Sequence, residues 1–237
     1  MSEEYRITED STFTKDLSRL ITADNLEPLP DDIADFGTTS RVRRIKLTSP
    51  YYPGMIFKIF RPLNKSRVFE QNFGLNALAL GRLNWYPLAL GRVPKLLTKG
   101  NYHGIPAVIE SPMEGVNPDI ELLSADKRVR YYQSLAGLYF NLALFGIIHA
   151  GPSDFDIAIK NNRAGLIDFG GAFVEGSSLH NFSSKQEAEI HATKVFKDWV
   201  ESKEKRATGY IHGLSRFGRI PSSTLAGLYI STLRLHT

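Results

Sequence analysis

Residues 166–170 read Leu166-Ile167-Asp168-Phe169-Gly170, an aspartate directly behind a short apolar stretch and ahead of an aromatic and a glycine. An apolar run that stops at such a group marks a strand ending in a turn, and the turn presents the carboxylate. Taken alone the three residues describe only a turn. Their neighbours say more. Ile157-Ala158-Ile159 and Ala164-Gly165-Leu166-Ile167 predict two short strands, with Lys160-Asn161-Asn162-Arg163 as the turn between them. Just upstream, Ile147-Ile148-His149-Ala150-Gly151-Pro152-Ser153-Asp154-Phe155-Asp156 closes a long helix that starts from Ser124 as N-cap, with Asp126 at the positive end of its dipole. The His149 ring is expected to bond a nearby backbone carbonyl. Asp154 and Asp156 either bond their own loop backbone or supply hard oxygen ligands, one of them joining Asp168 on a divalent cation.

Working toward the N-terminus, the texture turns from helical to extended. Arg41-Val42-Arg43-Arg44-Ile45-Lys46-Leu47 alternates apolar and basic positions, as a strand with one wet face does. Tyr51-Tyr52-Pro53-Gly54 supplies a turn, and Met55-Ile56-Phe57-Lys58-Ile59-Phe60 predicts a second strand, apolar except for Lys58. A helix is expected over 66–83. A second hairpin follows from Pro94–Leu97 and Ile105–Ile109, turning through Lys99–Gly104. Ser111-Pro112-Met113-Glu114-Gly115 breaks the sheet as a joint. Beyond the central strands, helices are expected over 184–204 and 222–234, and a short one around Phe13–Ile21. Lys203-Glu204-Lys205-Arg206 reads as a helix end whose cations suit the dipole.

Composition narrows the classes. The 237 residues suffice for one large domain or two small lobes. No cysteine is present, which excludes disulfide scaffolds, cysteine-held zinc and thiol chemistry. The net charge of +4 permits an anionic ligand but is too mild to point to nucleic acid. MSEEYRITED lacks the basic start and apolar stretch of a secretory signal, and the most apolar run, Leu135–Ile148, is too short to span a bilayer. The expectation is a cytoplasmic protein with no membrane partner.

The layout over roughly 33–200 resembles the protein-kinase-like fold. Met55-Ile56-Phe57-Lys58 resembles the strand carrying the phosphate-binding lysine, and Ile167-Asp168-Phe169-Gly170 resembles the metal-binding motif. His149 falls at the catalytic-loop histidine, and Ile109–Gly115 looks like the joint whose backbone meets the adenine edge. The resemblance implies an α+β, bilobal fold: an N-terminal extension (1–32), a small β-rich N-lobe (33–110), a hinge (111–115) and a larger, though reduced, helical C-lobe (116–237). It implies ATP and Mg2+ as ligands. Gly37, Ser40 and Val42 would cover the phosphates, Lys58 would contact them, Glu110 and Met113 would offer backbone to the base, and Asp156 and Asp168 would hold the metal.

The departures bear on activity. Aligned on Val42, the three glycines of the phosphate loop become Asp35, Gly37 and Ser40. The helix glutamate that should pair with Lys58 is Asn76, and the catalytic aspartate two residues after His149 is Gly151. The metal-binding asparagine is Asp156, and no long activation segment follows Gly170. Losing a general base removes about 10²–10⁴ in rate while leaving nucleotide binding intact. The expected function is a pseudokinase that binds ATP and Mg2+ weakly or not at all and acts through a protein partner. The alternative is an active ATP-dependent phosphotransferase, of protein or small-molecule type, in which Asp154 or Asp156 takes the base role.

Overall fold

Side chains at alternate positions of a strand point to opposite faces, and the strand containing Lys58 shows what that does here. A computed structural model describes residues 15–28, 40–62, 68–154, 156–179, 181–208 and 224–234. Strands β1 (Leu26–Pro28), β2 (Ser40–Leu47), β3 (Ile56–Pro62), β4 (Leu96–Tyr102) and β5 (Ile105–Glu110) form one antiparallel sheet in the order β1-β2-β3-β5-β4. Phe57 and Ile59 on one face join Ile45, Leu47, Ala107 and Ile109 in a core that Leu17 and Ile21 cap. Phe60 and Val108 on the opposite face pack with Phe73 and Ala77 of helix α1 (Val68–Leu83). Both faces are therefore covered, and Lys58 is on the helix side. Pro28 ends β1 at the sheet edge, where its missing N–H interrupts no ladder.

The chain divides into two compact units: Met1–Asn84 with Pro94–Pro112, and Trp85–Val93 with Met113–Thr237. The chain passes between the units after Asn84, after Val93 and after Pro112. The stretch Trp85–Val93, read above as part of the N-lobe, belongs instead to the second unit. Its anchor is Arg92, whose Nε donates to the Ala164 carbonyl at 2.9 Å and whose Nη2 donates to the Ser134 carbonyl at 2.6 Å. Burial, aided by the charge of Arg163, lowers this guanidinium to about 10.

In the second unit, helix α2 (Ala125–Leu144) starts from Ser124 as expected. It ends earlier than the sequence suggested, because Gly146 turns the chain at φ 76°. Ile147–Ile148 then forms strand β6 rather than a last helical turn, and pairs with β9 (Phe173–Val174). The hairpin of β7 (Ile157–Lys160) and β8 (Arg163–Leu166) turns through Asn161 and Asn162, both at positive φ. The β4–β5 turn is likewise tighter than read, with His103 and Gly104 alone at positive φ. Helices α3 (Lys185–Thr208) and α4 (Leu225–Leu233) complete the unit, each packed with the other and α4 also with α2. The short helix read around Phe13–Ile21 is a single 3-10 turn, Leu17–Arg19, in its described part. The described residues thus form a mixed α+β fold, with a small antiparallel sheet and several helices. Among the described residues no helix is long and apolar enough to cross a membrane.

Candidate functional site

Strand register sets the surroundings of Lys58 within the first unit. Lys58 sits opposite Val108 in the β3–β5 ladder, so Glu110, two residues on, is its diagonal neighbour on the same face. Lys58 Nζ lies 2.8 Å from Glu110 Oε1, with side-chain exposures of 1% and 4%. The resemblance placed the lysine's partner on the following helix, at the position of Asn76. Asn76 is fully buried on α1, but the carboxylate comes from the neighbouring strand. Sequence reasoning gave Glu110 only a backbone role. Its side chain could have been found by pairing the two strands and counting faces.

The second unit assembles the aspartates. Tyr139, buried on α2, has its hydroxyl raised well above the usual phenol range by burial and by the charge of Asp156. It therefore stays protonated and donates to His149 Nδ1 at 2.9 Å, which Gly151 N–H also approaches at 3.3 Å. An Nδ1 that accepts places the ring hydrogen on Nε2, and Nε2–H donates to the Asp168 carbonyl. The ring also meets Phe169 edge-on, at 5.2 Å between centroids. His149 thus bonds a backbone carbonyl, as read from the sequence, and it fixes the main chain of the Asp-Phe-Gly turn.

Asp168 Oδ1 accepts from Gly170 N–H at 2.9 Å. The Asp156 carbonyl accepts from Ile167 N–H at 2.9 Å, so Asp156 runs alongside the residue preceding Asp168. Ser153 Oγ donates to Asp156 Oδ2 at 2.5 Å. Among the described residues no group of three or more His, Asp or Glu side chains is arranged to hold a metal. The Asp156 and Asp168 carboxylates are hard oxygen donors of the kind Mg2+ takes.

Position 151, where the resemblance expects an aspartate, is closely packed. Gly151 adopts φ 147°, and a Cβ added there would lie 2.3 Å from Val195 Cγ1 and 2.6 Å from Val195 Cβ. No side chain fits without moving α3. Asp154, the reserve base of the sequence reading, is already engaged: Trp199 Nε1 donates to its Oδ1 at 2.9 Å and Lys203 Nζ lies 2.7 Å from the same oxygen. Burial pushes its pKa up, but those two hydrogen bonds and the charges of Lys203 and Arg206 outweigh burial and hold it below the ordinary carboxylate range. A carboxylate so stabilised is a weak proton acceptor.

Lys203 and Glu204 themselves correct the reading of a solvated helix end, since each is only 3% exposed. Lys203 also meets Glu121 at 2.9 Å, while Glu204 takes Arg128 Nε at 2.7 Å and the Tyr132 hydroxyl at 2.9 Å. This network ties α3 to the start of α2 and to the loop carrying Asp154.

The remaining sequence-derived positions are spread out. Gly37 lies outside the described residues. Ser40 and Val42 are in β2, opposite Pro62 and Phe60. Met113 lies with the second unit, its methyl close over Gly165, where a Cβ would come within 2.9 Å of it. Compared with known proteins, the chain matches no family model and no curated protein.

Proposed function

We propose that this protein is a kinase-shaped scaffold that does not transfer phosphate and that acts by binding a protein partner, with ATP and Mg2+ as weak ligands. The observation that carries the reading is Gly151: where the resemblance calls for the catalytic aspartate there is no carboxylate, and Val195 fills the space one would need. The kinase-like part is supported by element order: a five-stranded antiparallel sheet with its lysine on the third strand, a helix inserted before the fourth, then a helical unit in which His149 follows β6 and Asp168 follows β8.

In this reading Lys58 of the first unit is a phosphate contact, and Asp156 and Asp168 of the second unit are oxygen ligands for the metal. Bound Mg2+ would neutralise phosphate charge. None of these residues can take the proton from an attacking hydroxyl while also holding metal, and Asp154 is committed to Lys203 and Trp199. Phosphoryl transfer therefore has its electrostatic parts without the group that orients the nucleophile.

Incubation with γ-labelled ATP and Mg2+ or Mn2+ tests the reading. Wild-type and Asp168→Ala proteins should give the same background, and label transfer that disappears in the variant would overturn it.

A further inference from the structure

We propose that Glu110 is a built-in competitor for the anion that Lys58 would otherwise hold, so that this one carboxylate sets how weakly the protein takes a nucleoside triphosphate. The inference rests on the scaffold reading above and names the residue that governs ligand strength at its lysine.

Access and charge both oppose a phosphate at Lys58. The Lys58 side chain is 1% exposed and its ammonium already has a carboxylate at 2.8 Å. An incoming phosphate reaches that ammonium only after the pair opens, or else it brings a second anion beside a buried first one, which is costly where water is excluded. The competitor is held in place by the sheet itself. Lys58 faces Val108, Ile56 faces Glu110, and the two charged residues share a face because the ladder repeats every second residue. No rotation of a helix separates them. A glutamate on a mobile helix could orient the lysine toward phosphate; a glutamate on the adjacent strand, buried with it, draws the ammonium against the sheet.

The test titrates ATP with Mg2+ into the full chain by calorimetry, comparing wild type with Glu110→Gln, which keeps the shape and an acceptor oxygen while removing the charge. The account expects Glu110→Gln to bind at least about tenfold more tightly than wild type. In the double variant Lys58→Met/Glu110→Met, an apolar replacement of the kind buried pairs often tolerate, the gain should vanish. Equal or weaker binding by Glu110→Gln, beside measurable wild-type binding, overturns the competitor role and leaves the nucleotide reading standing. No binding by either protein at millimolar ATP overturns both. A gain that persists without Lys58 also overturns it.

A second measurement uses the wild-type protein alone, should Glu110→Gln fail to fold. Acetylation of Lys58 Nζ by acetic anhydride, read by mass spectrometry, should run at least about tenfold slower than that of the exposed Lys95. Equal rates would mean an accessible ammonium and would sink the proposal.

Discussion

The side chain of Val195, on α3, stands where a β-carbon on Gly151 would have to go, 2.3 Å from its Cγ1. Two separate effects hold position 151 to glycine: the left-handed φ of 147°, and the packing of the helix. Gly151→Ala is expected to lose about 2–6 kcal/mol, the sum of backbone strain and overpacking. Adding Val195→Gly should recover the packing part and leave the strain. Urea unfolding of the two variants separates them, and an unchanged midpoint for Gly151→Ala would remove the packing argument.

Lys58 and Glu110 form a buried ion pair, and such pairs are far more costly to break than to replace. Lys58→Met alone is expected to cost about 3–5 kcal/mol, because it leaves a buried carboxylate without its cation. Lys58→Met/Glu110→Met should lie much closer to wild type. A double-mutant cycle by urea denaturation checks this, and additive losses would mean the two side chains do not interact.

Asp154 and Glu121 share Lys203, and in both the upward push of burial is outweighed by hydrogen bonds and charge together, those of Lys203 among them, so both carboxyls titrate below their ordinary values of 3.8 and 4.5. A carboxyl with a depressed folded pKa contributes stability that is complete above its unfolded value and is lost as pH falls through the folded one. The Glu121→Gln/Asp154→Asn protein should therefore be less stable than wild type at about pH 7, and the gap should narrow as pH drops below about 4.5. Urea midpoints across that range provide the check. A gap that stays constant with pH would contradict the linkage.

Tyr139→Phe removes one of the two donors to His149 Nδ1 and keeps the ring packing. A loss of about 1 kcal/mol is expected, with faster amide exchange at Phe169 and Gly170 because the histidine that holds the Asp168 carbonyl is less well fixed. Unchanged exchange in that turn would show that His149 keeps its place without the phenol.

Local pattern made much of this legible in advance. The Met55–Phe60 strand, its turn at Pro53-Gly54 and the start of α2 at Ser124 all follow from side-chain alternation and capping, which neighbouring residues decide. The end of α2 was missed because Ile147 and Ile148 continue an apolar pattern that either helix or strand satisfies, and Gly146 decides between them. The charge run Lys203–Arg206 misled for a different reason. Its partners Glu121 and Arg128 are more than seventy residues away, so nothing local distinguishes a buried network from a wet helix end. The same holds at the candidate site. The buried lysine on its strand and the glycine at 151 stand in the chain itself, but Glu110 as the partner of Lys58 and Val195 as the neighbour that crowds Gly151 depend on register and helix packing.

The central claim, that catalysis is absent because position 151 has neither a carboxylate nor room for one, is tested most directly by rebuilding it. Single-turnover loss of the γ-phosphate from ATP with Mn2+ would be measured for Gly151→Asp/Val195→Gly beside wild type, with cooperative melting confirming that both are folded. The account predicts a wild-type rate equal to the protein-free background and a faster rate for the rebuilt protein. A wild type that already hydrolyses ATP above background, at a rate the rebuilt protein does not exceed, would contradict it.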